Sequence, residues 1–168
     1  MKISYNWLKQ YLSSNPAAEA VAEILTNCGL EVEKIEKIES VKGGLRGLLI
    51  GEVKEKEKHP NADRLSVTKV DVGDGRLRNI VCGAPNVAAT QKVVVALPGM
   101  TLHPVSGGAF ELKAAKIRGV DSEGMICAED EVGLGSIHEG ILVLDRSAPT
   151  GSLASEYFKV EEDVIFQI

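Results

Sequence analysis

The spacing of apolar residues changes character at Ser40-Val41-Lys42-Gly43-Gly44. Before that junction they recur every three to four residues, and after it every second residue. A repeat of two belongs to strands and one of three to four to helices, so the chain predicts a helical entry followed by an all-strand segment. Seventeen glycines in 168 residues supply the many turns that short strands need. The two patterns together predict an α+β chain. The expected arrangement is a closed or nearly closed antiparallel barrel over 40–150, inserted into a small α/β domain made by the flanks, 1–39 and 151–168.

Tyr5 to Leu12 puts Trp7, Leu8, Tyr11 and Leu12 on one helical face, with Ser4 as N-cap. Asn15-Pro16 is a second helix start, Val21, Ile24, Leu25 and Cys28 follow at helical spacing, and Gly29 ends the run. Leu30–Ile38 predicts a strand. Beyond the junction, Leu48–Lys58 and Leu65–Val72 predict strands. Gly73-Asp74-Gly75 is a tight turn that makes a hairpin with Arg76–Val81. Lys92–Leu97, Phe110–Ile117, Met125–Ala128 and Ile141–Leu144 complete the set. Six of the seven aromatic residues lie in the flanks and only Phe110 in the middle, which predicts that the flanks pack together. The apolar ending Val164-Ile165-Phe166-Gln167-Ile168 reads as a strand of a domain that continues in a longer protein.

Charge excludes some functions. The middle holds 14 basic and 14 acidic residues, and the flanks 5 and 10, so the net charge of −5 lies wholly in the flanks. An acidic chain is not a nonspecific nucleic-acid coat, although a local basic face remains open. Cys28, Cys82 and Cys127 are odd in number and widely spaced. They form neither a zinc motif nor a disulfide framework, which fits a reducing, cytoplasmic setting. No secretory signal or apolar run of membrane-spanning length is visible. Glu129-Asp130-Glu131 reads as solvated surface rather than a magnesium site, His59 lacks partner ligands, and no nucleophile-elbow pattern accompanies the serines.

Several ordered motifs carry more information than composition does: His59-Pro60-Asn61-Ala62-Asp63-Arg64-Leu65, Val70-Asp71-Val72-Gly73, Ile80-Val81-Cys82-Gly83-Ala84-Pro85-Asn86-Val87, and Lys116 through Ala128. This series resembles the tRNA-binding OB domain shared by stand-alone tRNA-binding proteins, some methionine–tRNA ligases and phenylalanine–tRNA ligase beta subunits. The opening Met1-Lys2-Ile3-Ser4-Tyr5-Asn6-Trp7-Leu8 and the run Glu129-Asp130-Glu131-Val132-Gly133-Leu134 resemble the bacterial beta-subunit version. One departure is Thr90, where that family commonly has glycine.

The resemblance implies a five-stranded OB-type barrel and a tRNA partner. For a parent enzyme it implies ATP, magnesium and an alpha subunit, in a heterotetramer of two alpha and two beta chains. It carries no catalytic or metal-binding residue and no cofactor onto these 168 residues. In the stand-alone relatives a Ser-x-x-Met element, here Ser122 and Met125, faces RNA.

Residue chemistry adds further candidates. Lys54, Lys56 and Lys58 alternate with Glu55 and Glu57. On a regular strand the lysines form a phosphate-tracking stripe, or a charged edge that blocks sheet aggregation. Asn61 and Arg64 lie in a proline-initiated turn and read either as RNA contacts or as a plain connection. Lys116 and Arg118 share a parity before Gly119, and an arginine can grip a phosphate with two hydrogen bonds. A single aromatic cannot build a base-stacking platform, so any RNA contact is expected to be to backbone and shape. Two other readings stay open: an assembly scaffold with little RNA contact, which tRNA binding at low salt would exclude, and a stand-alone tRNA-binding protein.

Overall fold

A computed structural model describes residues 1–168. In chain order the elements are β1 (Lys2–Ser4), α1 (Tyr5–Lys9), α2 (Ala18–Asn27), β2 (Lys34–Glu39), β3 (Leu49–Lys58), β4 (Ser66–Asp71), β5 (Leu77–Cys82), β6 (Lys92–Ala96), β7 (Thr101–Leu102), β8 (Phe110–Glu111), β9 (Ala115–Ile117), β10 (Val120–Ser122), β11 (Met125–Ile126), β12 (Val143–Leu144), α3 (Ala154–Tyr157) and β13 (Glu162–Gln167). They form two compact units, one of residues 1–40 with 161–168 and one of residues 41–160.

In the smaller unit, β13 lies between β1 and β2, antiparallel to both, so the two chain ends share one sheet. Ser4 caps α1 by accepting a hydrogen bond from the Trp7 amide at 3.0 Å. Asp163 ties β13 to that cap. Its carboxylate accepts from the Ser4 hydroxyl at 2.5 Å and the Asn6 amide at 2.9 Å. Burial raises its pKa, but these hydrogen bonds, with a third from the Val164 amide and the nearby Lys9 charge, together hold it below the usual carboxylate range.

The second helix begins at Ala18 rather than at Pro16, with Ala17 extended as its N-cap and no side-chain cap. It ends as the sequence requires. Gly29 takes a left-handed φ of 93°, and the Leu30 amide closes back onto the Leu25 carbonyl at 2.9 Å. Phe166, Val21 and Ala22 form the core, and Tyr5 meets Phe166 edge-on at 5.9 Å. Burying Phe166 fully contributes roughly 2–3 kcal/mol of hydrophobic stabilisation. Trp7 and Tyr11 stay 52% and 69% exposed, so the pairing of the flanks rests on Tyr5 and Phe166 and not on those two rings.

In the larger unit the main sheet runs β11-β6-β3-β4-β5, with β12 also on β6. It curls until β5 approaches the 120–126 segment. There the Val81 amide donates to Ser122 Oγ at 3.1 Å and the Glu123 amide to the Asn79 carbonyl at 2.8 Å, nearly closing a five-stranded OB-type barrel. Val53, Val70, Ile80, Val93 and Val95 fill its interior. The opposite face of β6, Val94 and Ala96, packs in a second core with Leu48, Ile50, Leu102 and Ala154. The unbroken apolar run Val93–Ala96 is thus explained, because this strand is covered on both sides. Tyr157 and Phe158 pack on that second core.

Where Phe110–Ile117 reads as one strand, the chain instead makes two short pieces. The first pairs with β7 and the second with β10. Alternation alone cannot separate these cases, because both pieces are extended.

Thr90 keeps a left-handed φ of 72°, a conformation that a β-branched residue adopts at a cost. Its amide donates to the Val53 carbonyl at 2.7 Å, which holds the turn in place. Thr90→Gly is expected to raise the unfolding free energy by about 1 kcal/mol, after the entropy cost of glycine is deducted. Urea unfolding reads this as a higher midpoint, and a lower midpoint would argue against strain at Thr90.

Candidate nucleic-acid interface

The lysine stripe does not survive as a straight line. The β3–β4 register slips between Val53 and Glu55, leaving Lys54 without an opposite residue. Such a bulge reverses the side on which later residues stand. Lys54 stays with Glu52 and ion-pairs with it at 3.0 Å. Lys56 and Lys58 stand opposite Thr68 and Ser66 and share their side. The cause is non-local. The Val53 amide donates to the Gln91 carbonyl at 2.9 Å and its carbonyl accepts from Thr90, so β3 is leaving β6 at the point where it continues with β4.

Lys56 and Lys58 line a shallow groove of ≈ 310 Å³ with Arg64, Leu65 and Pro85. Arg64 also borders an adjoining groove of ≈ 360 Å³, together with Asn61 and Arg118. Five of the nine candidates are therefore gathered on one surface: Lys56, Lys58, Asn61, Arg64 and Arg118. Lys58 pairs with Asp63 at 2.9 Å, an exposed pair of small worth that a phosphate can displace.

Arg118 is placed by a turn. It and Gly119 form the two-residue loop of the β9–β10 hairpin, with φ of 47° and 90°. That is the geometry of a type I′ turn, usually given to asparagine and glycine. An arginine in the left-handed region costs roughly 1 kcal/mol. As a turn residue Arg118 has no strand parity, so the expected alignment with Lys116 does not apply. Lys116 faces Asp121 across the hairpin, 3.9 Å away.

His59 is the residue whose role the sequence did not reveal. It is only 2% exposed. Its Nδ1 accepts from the Asn61 amide at 3.0 Å, which leaves Nε2 to donate to the Ile117 carbonyl, also at 3.0 Å. Asn61 Nδ2 donates to the Arg118 carbonyl at 3.0 Å. The 59–65 turn and the β9–β10 turn are thereby locked together.

Ser122 is 5% exposed, and its hydroxyl accepts from Val81 and donates to the Gly124 carbonyl at 3.0 Å, so it closes the barrel. Met125 is half-buried against the second core and borders a third groove, of ≈ 380 Å³, between Ala84, Pro85 and His138. That groove shares Ala84 and Pro85 with the lysine groove.

The acidic run is divided among three tasks. Glu131 accepts from the Ala128 amide at 2.7 Å, Asp130 bonds His138 at 3.0 Å, and Glu129 packs over Gly135. The Asp130 hydrogen bond raises the His138 pKa above the ordinary imidazole range. Burial pushes the Cys82 and Cys127 thiols upward, which makes them poorer nucleophiles.

The nearly closed small barrel gathers Lys56, Lys58, Arg64 and Arg118 along shallow grooves that also hold Glu57 and Asp63, and no aromatic side chain lines them. Residues 48–153, more than half of the chain, match the family described as "Putative tRNA binding domain", and the chain belongs to that family. Curated relatives are phenylalanine–tRNA ligase beta subunits. That of Bacteroides thetaiotaomicron is 50% identical over 168 residues, 100% of this chain and 20% of its own length. The Porphyromonas gingivalis subunit is 51% identical with the same coverage. The Chlorobaculum tepidum subunit is 45% identical over 171 residues, again 100% and 20%. The chain thus spans about a fifth of the length of these relatives. A solved structure, the C-terminal domain of Plasmodium vivax p43, is 27% identical over 62% of this chain and 56% of that one, with a TM-score of 0.43.

Proposed function

We propose that this chain is the tRNA-binding region of a phenylalanine–tRNA ligase beta subunit, gripping the sugar–phosphate backbone while aminoacylation proceeds elsewhere in the enzyme. The observation that carries the reading is the gathering of Lys56, Lys58, Arg64 and Arg118 around adjoining grooves of a domain in this family. Identity of 50% across the whole chain to such a subunit supports the choice of parent. ATP, magnesium, an alpha subunit in a heterotetramer of two alpha and two beta chains, and a cytoplasmic setting belong to this reading of the parent enzyme. No residue of this chain is assigned to ATP or magnesium. No helix is long and apolar enough to cross a membrane.

Filter binding of a bulk tRNA pool across a salt titration tests the proposal. Four cations that displace counterions from a backbone predict a log–log slope of about −3, at roughly 0.7 per phosphate. With no aromatic residue on the five barrel strands, phenylalanine tRNA and other tRNAs are expected to bind within a few-fold of one another. Absence of binding at low salt would instead favour an assembly scaffold.

A further inference from the structure

We infer that His59 and Asn61 are positioning residues, which hold the Arg64 and Arg118 turns in one register so that both guanidinium groups address the same stretch of backbone. The inference rests on the RNA-binding reading above. Three hydrogen bonds carry it. His59 Nδ1 takes the Asn61 amide, His59 Nε2 reaches the Ile117 carbonyl, and Asn61 Nδ2 reaches the Arg118 carbonyl, each at 3.0 Å. Both acceptor carbonyls belong to the β9–β10 turn region, and Arg64 follows within the same turn as Asn61.

The arrangement has a mechanical logic. The β9–β10 hairpin is a separate two-stranded sheet, so no main-sheet ladder fixes its tip. Arg118 also sits at a φ of 47°, where an isolated arginine would seldom stay. The side-chain amide of Asn61 holds the peptide carbonyl of that residue, and the ring of His59 holds the one before it. Because His59 is buried and both of its nitrogens are engaged, it has no free atom to offer a ligand. One of the two Asn61 amide hydrogens is committed to the Arg118 carbonyl, which fixes the orientation of that side chain against the β9–β10 turn.

Substitutions at Asn61 and His59, alone and combined with loss of Arg118, separate this role from direct contact. In the full chain, Asn61→Ala is expected to weaken binding of bulk tRNA about five- to tenfold and to reduce the salt slope by about one, because one cation loses its phosphate. Arg118→Ala is expected to cost as much alone but little more in the Asn61→Ala background, since both remove the same interaction. Additive losses, or an unchanged slope, would overturn the inference. His59→Gln, whose amide still reaches toward the Ile117 carbonyl, is expected to keep the wild-type slope, and His59→Ala to lose it. Equal slopes for those two variants would also count against the latch. Thermal unfolding of each variant confirms that it is folded. Failure of the unsubstituted chain to bind tRNA at low salt would sink the underlying reading and not the latch alone.

Discussion

Gly73→Ala is expected to destabilise the chain by about 3 kcal/mol, while Gly75→Ala, two residues away, costs only about 1 kcal/mol. Both glycines have left-handed backbone, with φ of 84° and 85°, so both substitutions carry the same conformational penalty. They differ in surroundings. A methyl group on Gly73 would meet the Gly151 Cα at 2.6 Å, and nothing lies within 4 Å of one on Gly75. The near neighbour is backbone, which cannot turn away as a side chain can. It belongs to the returning segment in which the Gly151 amide donates to the Ile50 carbonyl at 2.8 Å and the Ile50 amide to the Ser152 carbonyl at 2.9 Å. Yielding to the methyl therefore disturbs that pairing against β3. Urea denaturation of the two variants, with unchanged m, isolates the clash as the difference between them. Equal costs would show that the 149–153 segment moves aside freely.

Removing three cations together, Lys56→Ala, Lys58→Ala and Arg64→Ala, is expected to weaken tRNA binding about 100-fold near 0.1 M salt. The figure follows from roughly 1 kcal/mol for each cation–phosphate interaction. The salt slope falls by about two, as three fewer counterions are displaced. The paired control is Lys54→Ala, which removes the same charge from the same strand. Because the bulge leaves Lys54 beside Glu52, that variant is expected to change affinity less than threefold. If Lys54→Ala weakens binding as much as Lys56→Ala does, then overall charge and not this surface governs binding. Both measurements use the same titration, so stability and affinity effects separate once each variant is shown to be folded.

Features closed within a few residues of chain were legible in the sequence. Ser4 caps α1 and Gly29 ends α2 because caps and left-handed ends are local chemistry. The Gly73-Asp74-Gly75 hairpin and the two-residue alternation of β4 follow for the same reason, and they led to the antiparallel barrel. Lys56 and Lys58 could be named from strand alternation and Asn61 and Arg64 from a turn, whereas Arg118 was named for a parity with Lys116 that the structure replaces with a turn. Thr90 could be marked as unusual, and its positive φ follows from the turn it occupies.

Tertiary structure alone decided which of those residues stand together. The side taken by Lys54 depends on where β3 parts from β6, a matter of hydrogen bonds to Thr90 and Gln91 more than thirty residues away. Burial of Ser122 depends on β5 arriving beside it to close the barrel. His59 looked like an ordinary turn residue because its partner, the Ile117 carbonyl, lies 58 positions along the chain. Local backbone preference set the elements and their ends, since those energies act over a few residues. The functional surface was set by strand pairing and register, which link distant segments and leave no periodic trace in the sequence.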